Sequence, residues 1–280
     1  MILYKYVSHE SGMKMLENNT IGFSKPRDFN DPFEVEASTP TGNSGDFFQP
    51  LIDHTKKAII KDQTGILSLT RQPLNALMWA HYGDEHKGMV IGIDCSISDF
   101  TSEASNLIPI QYGNVIYTDT KPSHDFLGEQ AEPFKLGSTF KFSCSHFEEL
   151  QRMYLHKPMC WSYEEEVRLV KCIKGVEENE VIQSGKFKIL DLGDRSIYLQ
   201  NLPEGSIKEV YVGARSETIG REENNAFLGN LLELQPNAKA YRCSISKTSW
   251  TLTKKPLENI PPPLGIGESI QLMNDAMKEK

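Results

Sequence analysis

Short runs of β-branched and aromatic residues recur along this chain, and no regular helix separates one run from the next. ILYKY (2–6), IGFS (21–24), ILSLT (66–70), MVIGID (89–94), NVIY (114–117), EVRLVKCI (166–173), KFKILDL (186–192), IKEVYVG (207–213) and AYRCSIS (240–246) each have strand length and strand composition. Helical spacing is confined to a few segments: 11–18, 47–59, 73–88, a stretch opening at Phe147, and 217–234. A doubly wound parallel sheet needs strand and helix in strict alternation, which is absent. The pattern predicts an α+β fold, with a mixed or antiparallel central sheet and flanking helices. Residues 1–257 are read as one α+β domain. Residues 258–280, with Pro261, Pro262 and Pro263, are read as a proline-containing linker and a short C-terminal helix or tail.

The chain has 280 residues and a net charge of −8, so its overall field does not draw it to nucleic acid, although a local basic groove remains compatible with that balance. No apolar run approaches membrane-spanning length. The five cysteines, Cys95, Cys144, Cys160, Cys172 and Cys243, form no C-x-x-C pair and read as reduced thiols of a cytoplasmic protein.

Three segments carry candidate chemistry. In KPRDFNDPFE, Asn30 and Asp31 are turn formers stiffened by neighbouring prolines; they either cap a rigid turn or present polar groups to a pocket. In segment 73–88, Leu74, Leu77, Met78 and His81 share one helical side, expected to face the core, with His81 a satisfied core histidine. Trp79, Tyr82 and His86 form the neighbouring stripe, which is either more core or the wall of a cleft for a flat ligand. In WSYEEEVRLV, a strand would put Glu164, Glu166 and Arg168 on one face, with Trp161 and Tyr163 just upstream. That face is either a solvated ion-pair ladder or an E-x-E site in which one carboxylate moves a proton and the other tunes it. No metal is expected. Cys144, His146, His156 and Cys160 are zinc-type ligands in no standard spacing and form a minor alternative.

Taken in order, the YKY, FNDPFE, W-x-H-Y and W-S-Y-E-x-E-x-R blocks resemble the bacterial family called domain of unknown function 2971, over about residues 1–250. That likeness implies a cytoplasmic bacterial protein without an assigned activity, of a kind met among defence-associated loci. A second resemblance is to the ADP-ribosyltransferase fold, on Lys5 or Tyr6 in the first strand, Ser68 and Thr70 in ILSLT, and Glu164 and Glu166. The first position departs from that pattern, which has Arg or His there. The analogy implies NAD as cofactor, Glu166 as anchor of the ribose and stabiliser of an oxocarbenium-like transition state, Ser68 holding the cofactor, and Trp79 or Tyr82 stacking on a ring. Ligand contacts from Thr70, Tyr163, Arg168 and His86 complete that expected site. The alternatives are a non-catalytic ligand-sensing or protein-interaction module, and a metal-dependent nuclease using Asp31, Glu164 and Glu166. The expected partner is accordingly a small-molecule nucleotide or a protein.

Overall fold

In the computed structural model, residues 1–29, 31, 33–35, 61–121, 147–173, 187–216 and 220–260 are described. The expected helix at 47–59, Asn30, Cys144, His146 and the triple proline lie outside them.

The fold is α+β. Strands β1 (Ile2–Val7), β2 (Thr20–Ser24), β3 (Thr64–Thr70), β4 (Met89–Asp94), β7 (Glu166–Cys172), β8 (Phe187–Asp191), β9 (Ser196–Asn201), β10 (Ile207–Val212), β11 (Lys239–Ile245) and β12 (Leu252–Pro256) form one sheet. Its order is β12-β11-β10-β4-β1-β3-β2-β9-β8, with β7 paired to β3 off that path. Only β10 and β11 run parallel within it; the other pairs are antiparallel. Strands β5 (Ile116–Thr118) and β6 (His156–Pro158) form a small parallel pair. Helices α1 (His9–Asn18), α2 (Ala76–Tyr82), α3 (Phe147–Tyr154) and α4 (Arg221–Leu234) flank the sheet.

Local chemistry sets the helix limits. Ser8 caps α1 by accepting from the Ser11 N–H, and Asn19, in the left-handed region, ends it. Asn75 caps α2 with Oδ1 on the Leu77 and Met78 N–H groups, while its Nδ2 donates to the Tyr163 carbonyl at 2.8 Å. The helix expected over 73–88 is therefore short. Beyond Tyr82 the chain turns through Asp84, Glu85 and His86, all at positive φ.

Strand alternation divides the molecule into layers. Leu67 and Leu69 of β3, Val167 and Leu169 of β7, and Leu3 of β1 enter the main core, which also takes Leu16 of α1 and Phe227, Leu228 and Leu231 of α4. The opposite face carries two smaller apolar clusters. One gathers Ile66 and Val170 beneath Leu150, Met153 and Tyr154 of α3; the other gathers Tyr6, Val90, Tyr211 and Cys243 around Met78 and Trp79 of α2. On this face, between the two clusters, the strand positions are polar: Ser68 and Thr70 on β3, Glu166 and Arg168 on β7. The sheet also forks here. β3 pairs with β7 along its whole length but meets β1 at one pair, Tyr4 with Thr70, and β2 at one pair, Ser24 with Ile66.

Residues 258–260, assigned from the sequence to a tail, lie against α4. Asn224 Nδ2 donates to the Glu258 carbonyl at 2.9 Å, and Asn225 exchanges hydrogen bonds with the backbone of Ile260.

Candidate functional site

A cavity of about 510 Å³ opens where the two apolar clusters part. Its walls come from β1 (Tyr4, Lys5, Tyr6), β3 (Ser68, Leu69, Thr70), α2 (Met78, His81, Tyr82) and the chain around β6 and β7 (Lys157, Glu164, Glu166), with Glu34 and Phe29 closing another side. Arg195, on the exposed β8–β9 turn, stands at the rim, its carbonyl accepting from the Leu192 N–H.

The carboxylates reach this cavity by a different route from the one the spacing predicts. Glu164 ends a 3-10 turn (Met159–Glu164), Glu165 sits in the left-handed region at φ 43°, and the strand begins only at Glu166. The E-x-E segment is thus a kink and not a strand. The kink turns Glu165 out to solvent, where its carboxylate accepts from Gln72 Nε2, and leaves Glu164 and Glu166 facing the same concavity. Thr70 holds the kink by donating its hydroxyl to the Glu164 carbonyl at 2.5 Å.

Both carboxylates are buried, Glu164 at 3% and Glu166 at 5% exposure, so each must find charge or hydrogen bonds within the protein. Lys157 Nζ lies 2.6 Å from Glu164 Oε2, 3.3 Å from Glu166 Oε2 and 2.9 Å from Glu34 Oε1. Arg168, fully buried behind them, donates Nε to Glu166 Oε1 at 2.8 Å, Nη2 to Glu166 Oε2 at 3.0 Å, Nη1 to the Tyr154 carbonyl at 2.7 Å, and Nη2 also to Glu34. Tyr82 donates its hydroxyl to Glu164 Oε1 at 2.7 Å. The Tyr117 hydroxyl accepts from the Glu166 N–H at 2.9 Å. Lys5, beside the fork where β1 leaves β3, donates to the Ser68 carbonyl at 3.1 Å.

These surroundings separate the two acids. Burial raises the Glu164 carboxyl above its ordinary value, and Lys157 and Tyr82 only partly offset it. Burial pushes Glu166 the same way, but Arg168, Lys157 and the Ser68 hydroxyl outweigh it and hold that carboxyl well below the usual range. Glu164 is the group that can carry a proton, and Glu166 is a fixed anion. Burial lowers the Lys5 amine, with Glu166 opposing.

The structure sorts the expected site residues into three groups. Lys5, Ser68, Thr70, Tyr82, Glu164 and Glu166 border one cavity. Arg168 stands behind it and orients Glu166. Asp31, Trp79, His86 and Tyr163 do not line it. Asp31 forms an Asx turn, with Oδ1 on the Phe33 N–H, and its carbonyl accepts from the Glu34 N–H. Trp79 is wholly buried, donates its indole N–H to the Pro73 carbonyl at 2.9 Å, and is stacked by His86. Tyr163 gives its carbonyl to Asn75. The two stripes of α2 are each divided. Met78 is core with Leu74 packed against its cluster, and Tyr82 lines the cavity, as the spacing predicts. Leu77 and His81, however, are exposed, with His81 at the cavity, and Trp79 supplies core. Two stripes of similar hydropathy gave no means of deciding which one met the sheet.

Glu34 and Lys157 were not anticipated. Glu34 ends the same FNDPFE block as Asp31, and Lys157 lies inside the segment read for zinc. The legible signal was charge: an acidic run entering a buried strand with one arginine needs a second cation. That cation, Lys157, sits among Glu34, Glu164 and Glu166; the metal-dependent alternative names the last two with Asp31, which does not line the cavity. Of the zinc-type set, His156 Nδ1 is 3.0 Å from the Gln151 carbonyl and Cys160 is an exposed free thiol. Among the described residues no group of three or more His, Cys, Asp or Glu is placed to hold a metal ion. No helix described is long and apolar enough to cross a membrane.

Residues 78–169 match a family model. Its description is "Protein of unknown function (DUF2971)". The matched DUF2971 segment contains Tyr82, Lys157, Glu164, Glu166 and Arg168, hence the acidic wall of the cavity. Lys5, Glu34, Ser68 and Thr70 come from outside it. No curated protein and no solved structure matches the chain.

Proposed function

We propose that this chain is an enzyme acting on the N-ribosyl bond of a nucleotide, with NAD as the reference substrate. One observation carries the reading: Glu164 and Glu166 face one cavity of about 510 Å³, and their surroundings push their protonation in opposite directions. That volume lies within the range of small-molecule sites. As the C1′–N bond breaks, its electron pair leaves with the base, and positive charge spreads over C1′ and the ring oxygen. The Glu166 carboxylate, fixed by Arg168 and Lys157, stabilises that charge without having to reorganise. Glu164 accepts the proton of the acceptor hydroxyl as its oxygen bonds to C1′. Arg195 at the rim and the Lys5 amine suit the phosphates.

The test is incubation with NAD, and separately with ATP, followed by chromatography for released base. Glu164→Gln is expected to lower turnover by about 10²-fold or more, and Glu166→Gln to do the same while the chain remains folded. Because Glu164 acts as a base with a raised pKa, the rate should fall on acidification through an inflection above the ordinary glutamate value. Absence of both turnover and nucleotide binding in the wild type rejects the proposal.

A second reading, a ligand-sensing module, is favoured by the saturation of Glu166, whose two oxygens already have cationic partners. Nucleotide binding by calorimetry without any turnover would select it.

A further inference from the structure

The β11–β12 hairpin is basic within an acidic chain. Residues 239–256 contain Lys239, Arg242, Lys247, Lys254 and Lys255 and no acidic residue, a net charge of +5 within a chain of −8. The register sets Arg242 directly across from Lys255, a like-charge pairing that costs stability in a sheet. Between the strands the tip is ordered by its own hydroxyls: the Ser249 hydroxyl bonds those of Ser246, at 2.9 Å, and Thr251, at 2.7 Å, and the Ser246 N–H donates to the Thr251 carbonyl. That fixed tip holds Trp250 at full exposure, beside Ile245 at 70%. A fully exposed ring on an ordered tip contributes no burial to the fold and is open to a partner.

A second set of rings leads from the hairpin back to the cavity. Lys254 Nζ lies 4.1 Å from the centre of the Tyr241 ring and donates to the Tyr211 hydroxyl at 2.7 Å. Tyr211 in turn donates to Glu209 and meets the ring of Tyr4, which lines the cavity. Gly92 makes room for this: a Cβ there would stand 3.0 Å from both the Tyr4 ring and the Glu209 side chain.

We infer that the β11–β12 hairpin is a docking surface for single-stranded nucleic acid, with Trp250 stacking on a base and the hairpin cations following the phosphates. Glu209 of β10 lies across from Lys239 and holds Tyr211, to which Lys254 donates, whereas Lys247 and Lys255 are exposed to solvent, where a polyanion complements them. The single exposed tryptophan on a polar, hydroxyl-rich tip suits the flat face of a base better than a lipid interior. The inference is independent of the reaction proposed above, and its test involves no turnover.

The full chain is titrated with fluorescently labelled 20-nucleotide DNA and RNA single strands over a salt series, and with vesicles containing anionic phospholipid and with a poly-glutamate peptide. Binding to the single strands is expected, with log affinity falling linearly in log salt. Trp250→Ala should weaken it about tenfold. The double variant Lys247→Gln, Lys255→Gln should lower the salt slope by about 1.4. All three side chains are exposed, so thermal unfolding of the variants should match wild type and separate lost binding from lost fold. Absence of oligonucleotide binding at 50 mM salt, binding indifferent to Trp250→Ala, or preferential capture by the vesicles or the acidic peptide would each overturn the inference.

Discussion

Arg168 shows how much a single side chain fixes. It is fully buried, spans Glu34 and Glu166, and reaches the Tyr154 carbonyl. Arg168→Met would leave the two carboxylates dependent on Lys157 alone, and loss of one partner from a buried ion network costs about 3–5 kcal/mol. Urea unfolding should show that loss as a lower midpoint. The acid side of the stability profile tests Glu166. Its folded pKa is depressed from the ordinary 4.5 to about 2, so its contribution is complete above 4.5 and is lost as pH falls toward 2. Glu164 is shifted the other way: what it contributes is present at low pH and lost as pH rises through its raised folded value. Glu166→Gln should therefore be less stable than wild type at pH 7 yet lose less between pH 5 and pH 2.5, as read from urea midpoints. Glu164, Glu166 and Arg168 were legible as residues because acids at the mouth of an apolar strand need a reason. Their partners were not, since Glu34 and Lys157 are 130 and 7 positions from Glu164 along the chain, and only the fold brings them together.

Among the elements, β7 decides where the site can be. It lies against β3 on one edge, and on the other the chain at 106–115 covers it, with the Arg168 N–H donating to the Gly113 carbonyl at 2.8 Å. A Cβ on Gly113 would fall 1.8 Å from the Arg168 carbonyl oxygen, so the approach depends on the absent side chain. Gly113→Ala should displace that cover and destabilise the protein by about 1–3 kcal/mol, measured by thermal and urea unfolding. It should also depress activity through the displaced Arg168. Strands β1, β3, β4, β7, β8, β10 and β11 were readable from composition, because β-branched and aromatic runs of strand length dominate them. Strands β6, β9 and β12 were not. HKP and LTKKP are polar edge strands held by their neighbours, and SIYLQN is interrupted by polar residues. Helix α2 was readable as a helix with Met78 in the core and Tyr82 at a cleft, but the placement of Trp79 and His81 was not, since packing against Tyr6 and Tyr211 is a tertiary choice.

For the whole molecule, the governing feature is a sheet whose two wings join at β3 through single residue pairs. The strands buried in the middle, β3, β4 and β7, should open only with global unfolding, whereas β8 and β12 at the edges should open locally. Native-state hydrogen exchange should rank their protection in that order, and equal protection throughout would contradict the fork. The α+β class followed from the absence of strand–helix alternation; the fork did not, because pairing partners far apart in the chain leave no local trace. Charge has a global consequence too. With +5 in the hairpin and −8 in total, the rest of the chain carries a net charge of −13. A polyanion approaching in water is turned away from most of the surface and met favourably at one extremity, so first encounters are oriented before any contact forms.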